Sequence, residues 1–266
     1  MTRPPAARVL HAGVLGAAVL LATTACGSGG TDRAAGAPSA AAAASRPSAP
    51  GSASPVGALT TAQAQSALLT EADLGGPWAP TQGAATWRDG VLKARTDAPD
   101  CQRLLDALYA DELLGVPTAT QAVAGFDDAD DAAQLHYQVL ALRAADVDRT
   151  LAWLRTLPQK CARFTATTTR AGVQDVQVLD LALPEAGDAR QGLRIAFFGA
   201  SDEGGTTTLT LDVAVVRVGD DAITLTDGAP GPVPEDLAGQ AAQLGAQRLT
   251  DIHRQARAQA GPAAGR

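Results

Sequence analysis

Basic charge, aromatic rings, histidine and cysteine are all scarce in this chain of 266 residues. Lysine and arginine number 21 against 28 aspartates and glutamates, for a formal charge of -7. A nucleic-acid binder needs the opposite balance to displace counterions from phosphates, so that class is excluded. Aromatics are 3% of the chain, too few for a stacking platform of several rings. Three histidines and three cysteines leave little material for a metal centre. No cofactor is expected. Hydrophobic residues make up 46% of the chain, enough for one substantial domain or two small ones.

The first 25 residues read as an export signal. Arg3 and Arg8 precede an apolar run from Val9 to Ala22 that only His11 interrupts, and the first acid is Asp32. The run is short for a bilayer span of about 20 residues. Small residues, Thr23-Thr24-Ala25, follow it directly and lead into Cys26, which is the order of a signal peptide. A lone cysteine at that place resembles the lipobox of bacterial lipoproteins, although Thr23 stands where most lipoboxes carry leucine. The resemblance implies lipidation of Cys26 after cleavage before it, and several acyl chains anchor stably. Loss of Arg3 and Arg8 leaves 19 basic residues against 28 acids, a mature charge of -9. An anionic lipid surface repels such a domain, so the lipid does the holding. The expected location is the extracytoplasmic side of the cell membrane.

Residues 26–58 are almost wholly glycine, alanine, serine and proline, with no large apolar group before Val56. They are expected to form a disordered tether. About 31 flexible residues hold a domain about 30 Å from its anchor. A single domain is expected over residues 59–260, with a disordered tail over 261–266.

Within that domain the hydrophobic period predicts helices and strands in mixed order. Thr60 or Thr61 caps a first helix, and Pro99-Asp100 opens a second that carries Cys101 in its first turn. Residues 121–126 read as a strand, and the acidic group at 127–131 as its turn. Residues 133–143 fit either a returning strand or a helix. Asp146 or Asp148 caps a helix over 146–161. Strands follow at 164–169, 173–183, 193–199, 206–218 and 222–226, the second with its apolar residues partly out of phase, as a bulge or two buried faces would give. A long helix closes the domain over 235–259. Short turns between strands require antiparallel pairing. The expected fold is α+β, a twisted antiparallel sheet with helices packed on one face and one disulfide. Cys101 and Cys161 are the two cysteines left after Cys26, and export places them where bridges form.

The first cysteine on a helix, the stretch LRTLPQKCARF around Cys161 and the strand pair VVRVGDDAITLT resemble one actinobacterial group: lipoproteins with a PknH-like extracellular sensor domain. The resemblance covers about residues 59–258 and implies a sheet with helices around a cleft that takes an unidentified extracellular ligand. The kinase member has further cysteines, whereas this chain has one pair and no kinase domain.

The chemistry-bearing residues form no recognised catalytic set. His136 and His253 lie on separate elements without zinc-type spacing. Ser66 and Ser201 sit in no G-x-S-x-G elbow. Asp127, Asp128, Asp130 and Asp131 lack the glycine and the closing acid of a calcium loop. Trp78 and Trp87 are the candidate pocket-lining residues. The reading is therefore a lipid-anchored binding or sensor module without enzymatic activity, its partner an envelope ligand or protein. The alternative is a structural or interaction lipoprotein that contacts envelope partners and takes no small molecule.

Overall fold

The computed structural model describes residues 59–260, apart from 84, 86, 117–120, 129, 131, 201–204 and 235. The export signal, Cys26, the tether, Ser201, Asp131 and the tail lie outside the described residues. The architecture is α+β, built on one eight-stranded sheet in which every neighbouring pair is antiparallel.

The chain enters through two short helices, α1 (Thr61–Ser66) and α2 (Glu71–Leu74). Thr60 caps the first: its hydroxyl accepts from the Gln63 amide while the Gln63 side chain accepts from the Thr60 amide, satisfying two end groups at once. Strand β1 (Trp78–Pro80) and a π-helical turn (Arg88–Leu92) lead to α3 (Pro99–Ala110). Pro99 suits a first helical turn, where its missing N–H has no intrahelical partner to lose. Strands β2 (Gln121–Asp128) and β3 (Ala133–Ala141) form a hairpin. The stretch from 133, open between strand and helix, is thus a strand, held between β2 and the last strand of the sheet.

Helix α4 runs over Ala144–Leu154 and α5 over Leu157–Lys160. Neither Asp146 nor Asp148 caps α4. Asp146 lies inside the first turn, bound by Arg143 and Arg149, and the Ala144 amide donates instead to the Asp220 carboxylate, 76 residues away in sequence. The expected single helix over 146–161 is two, because Pro158 has no N–H to continue the ladder.

The remaining strands are β4 (Phe164–Thr168), β5 (Gly172–Leu181), β6 (Ala189–Ala200), β7 (Thr206–Val218) and β8 (Asp221–Pro230), followed by α6 (Leu237–Ala260). The sheet order is β1-β2-β3-β8-β7-β6-β5-β4. The β5–β6 register runs unbroken from Gln174↔Gly199 to Leu181↔Gly192, so β5 has no bulge, and its two faces are not both buried: Val176 and Val178 are covered while Leu179 and Val173 are exposed.

Helices cover both faces of the sheet, where one face was expected. Strand β7 shows why. Leu209, Leu211, Val213 and Val215 point into a core with α3, α4 and α5, while Ala214, Val216 and Val218 point into a second core with α1 and α6. A strand apolar on both sides needs cover on both sides. In the second core Tyr137 lies so close under α6 that a Cβ on Gly245 would stand 2.0 Å from its hydroxyl. Along the outward-pointing residues of β5 and β6, the face on the α6 side is left partly open.

Candidate functional site

Alternation along β5 and β6 creates the open face. Val176, Val178, Leu193, Ile195 and Phe197 are buried against α3, α4 and α5. Their neighbours Asp175, Gln177, Leu179, Arg194, Ala196 and Phe198 point the other way and are half-buried or exposed. Leu179 is 51% exposed and Val173, on the same side of β5, 64%. At the β4 edge the face deepens into a groove of about 400 Å³ that includes Arg163, Thr165, Asp175, Gln177 and Phe198. An aromatic wall beside hydroxyl, amide, carboxylate and guanidinium groups suits a ligand that is both flat and polar.

From this face a single cross-strand row runs into the core: Leu179, Arg194, Asp212, Asp227. Arg194 is the hinge of the row. Its side chain is 30% exposed, and its Nε and Nη2 donate to the two oxygens of Asp212 at 2.7 and 2.6 Å. Asp212 and Asp227 are both wholly buried. Burial and the neighbouring Asp212 charge push Asp227 up to about 7, with Arg194 acting in the opposite direction.

The residues singled out from sequence fall elsewhere. Trp78 is buried at the start of β1 in the core under α6, and Trp87 packs into the opposite core. A Cβ on Gly228 would stand 2.7 Å from the Trp87 ring. The sheet separates the two tryptophans, and the open groove includes neither. Cys101 and Cys161 are bonded, with Cα atoms 5.6 Å apart, joining the first turn of α3 to the end of α5. Beside the bridge Asp100 accepts from Lys160 Nζ at 2.9 Å and from Trp153 Nε1 at 3.1 Å. Those two bonds hold its carboxyl below the usual range, that of Lys160 first.

His136 stands 3.4 Å from the Asp111 carboxylate, which also binds Arg88. Burial lowers its pKa despite that neighbour. His253 Nε2 lies 2.5 Å from Asp221. The two histidines sit on different elements, His136 in β3 and His253 in the later turns of α6. The Ser66 hydroxyl donates to the Gln63 carbonyl within its own helix. Asp127, expected in the acidic turn, lies in β2 and accepts from Gln134, Thr81 and the Gln82 amide, so this carboxylate ties β3 to the segment after β1. Among the described residues no group of three histidine, cysteine or acidic side chains is placed to hold a metal ion.

Sequence reasoning passed over Arg194, Asp212 and Asp227. The available signal was the aspartate in the run TLTLDVAVV and another in ITLTDGAP, each a charge inside a strand otherwise apolar enough to be buried.

No known family model matches the chain, and no curated protein matches it. Among solved structures it is similar to the extracellular domain of PknH from Mycobacterium tuberculosis, with 13% identity and a TM-score of 0.44 over 74% of this chain and 98% of that one. It is also similar to a hypothetical protein from Helicobacter pylori, at 19% identity and a TM-score of 0.21 over 34% of this chain and 55% of that one. A third is the Saccharomyces cerevisiae Ran-binding protein Mog1p, at 13% identity and a TM-score of 0.22 over 56% of this chain and 82% of that one.

Proposed function

We propose that the mature protein is a sensor-type binding lipoprotein, anchored through Cys26 on the extracytoplasmic side of the cell membrane. Its ligand docks on the open face of β5 and β6. The observation that carries this reading is the uncovered stretch of sheet where Gln177, Arg194 and Phe198 look outward beside a groove of about 400 Å³. The Cys101–Cys161 bridge supports a location outside the cytoplasm, where such bonds persist. Phe198, with Thr165, Asp175 and Gln177 beside it, favours a small polar ligand such as a glycan or peptide fragment of the envelope. No reaction is proposed, and the reading needs no cofactor.

Thermal-shift screening of the full chain against cell-wall fragments, glycans and lipids tests the binding half. Stabilisation that disappears in Phe198→Ala supports it. The same stabilisation in wild type and variant places the ligand elsewhere and defeats the proposed site. For the anchor, Cys26→Ser is expected to leave the membrane fraction, and unchanged detergent partitioning rules lipidation out. One observation favours the second reading, an interaction lipoprotein without a small ligand. Val173 and Leu179 expose large apolar groups on this same face. Proximity labelling on intact cells that enriches an envelope protein in wild type but not in Leu179→Asp would support that reading over the first.

A further inference from the structure

Two carboxylates share one cation in the row that leads inward from the open face. Arg194 stands opposite Asp212 in the register, and Asp212 opposite Asp227. Arg194 Nε and Nη2 each donate to an oxygen of Asp212. Asp227 is 0% exposed, and neither of its carboxylate oxygens has a hydrogen-bond partner among the described residues. On β8 its same-face neighbours are Leu225 and Ala229, and across β3 it meets Leu135, all buried and apolar. The charged groups that face it are Asp212 on β7, Arg194 on β6 and Asp128 on β2. Helix α6, packed over the same face, brings Ala238, Ala241 and Ala242 and has no acid or base before Arg248. Nothing in this surrounding replaces the water that an ionised carboxylate requires.

We propose that Asp227 is a proton-binding site, and that the folded domain holds a proton there which the unfolded chain releases, so that its packing on this face responds to the surrounding pH. A proton leaves a neutral acid behind the Arg194–Asp212 pair. Of the charged groups in the row only Arg194 reaches partly into solvent, and Asp212 stands between it and Asp227 in the register. This leaves a proton as the species that can reach the inner site without unpacking the strands. The inference stands on the buried row whatever binds outside it. That the pH being read is extracytoplasmic rests on the proposed location.

The direction of the effect follows from the raised pKa. Below an unfolded aspartate's value of about 3.9 both states are protonated, and the stabilisation is fully present. As pH rises towards about 7, the native state keeps a proton that the unfolded state has lost, and stability falls. One such group lowers the folding equilibrium constant about fifty-fold between pH 5 and pH 7. Asp221, whose pKa is also raised by burial, and His136 contribute their own slopes. The quantity to read is therefore the difference between wild type and Asp227→Asn.

Carbon-13 NMR titration of aspartate carboxyls in the full chain tests the site directly. One carboxyl is expected to titrate near neutral pH and to be missing in Asp227→Asn. If every aspartate carboxyl of the wild type titrates below pH 5, the proposal is overturned, and this holds even if the variant fails to fold. Urea unfolding at pH 5 and pH 7 gives the second arm. The wild type is expected to lose about fifty-fold more in folding constant than Asp227→Asn; equal losses overturn the proposal. Neither measurement contains a ligand, so their failure leaves the open-face reading standing, and a failed ligand screen leaves this one.

Discussion

Replacing Arg194 by methionine removes the cation paired with the buried Asp212. Asp212 is 0% exposed and takes both of its side-chain hydrogen bonds from this guanidinium. Breaking a buried pair by deleting one partner costs about 3–5 kcal/mol, because the surviving charge is stranded. The Arg194 side chain is 30% exposed, and water there weakens the pair. The expected loss is thus about 2–4 kcal/mol at pH 7. Equilibrium urea unfolding of the full chain at pH 7 measures this. The companion is the double variant Arg194→Met/Asp212→Val, which replaces the whole pair by apolar groups suited to a strand. It should recover most of the loss, since a buried pair exchanged for well-packed apolar groups is often neutral. A single variant that loses under about 1 kcal/mol would refute the reasoning. So would a double variant no more stable than the single one.

Two further perturbations probe other parts of the fold. Reducing the Cys101–Cys161 bond, which spans 60 residues of sequence, should cost about 4 kcal/mol by the loop-entropy model. Unfolding midpoints with and without reductant would read it, and coincident curves would show that the bridge constrains little. Gly245→Ala places a methyl against the Tyr137 hydroxyl and should cost about 1–3 kcal/mol of overpacking. Tyr137→Phe in the same chain should restore most of it, because the Tyr137 hydrogen bond to the Ala67 carbonyl is long, at 3.4 Å. Absence of rescue would mean that Ile223, the next nearest group, sets the clash.

Period-two runs with Gly219 at their turn, where φ is +62°, were enough to place β7 and β8 in order and pair them. Turns of two or three residues cannot carry a parallel crossover, so the antiparallel sheet followed. The disulfide was legible too, because two cysteines remained in a chain that reads as exported. Alternation was also informative about faces, but only where one side was polar. In β7 both sides are apolar, and a reading that kept Leu209 to Val215 left the helices on one face. Caps supplied from afar were hidden for a related reason: the Asp220 carboxylate that receives the Ala144 amide is 76 residues away.

Sequence by itself determined the kind of body this is. Charge, periodicity and cysteine count are local or additive properties, and they specified an acidic α+β domain with one bridge. Tertiary structure decided where anything could happen on it. Pairing of β6 with β7 and of β7 with β8 lines up Arg194, Asp212 and Asp227, which are 18 and 15 positions apart in the chain. The extent of α6 decides which part of that row is sealed and which part opens beside Phe198. Both depend on register and packing between distant segments, and no local pattern of residues encodes them.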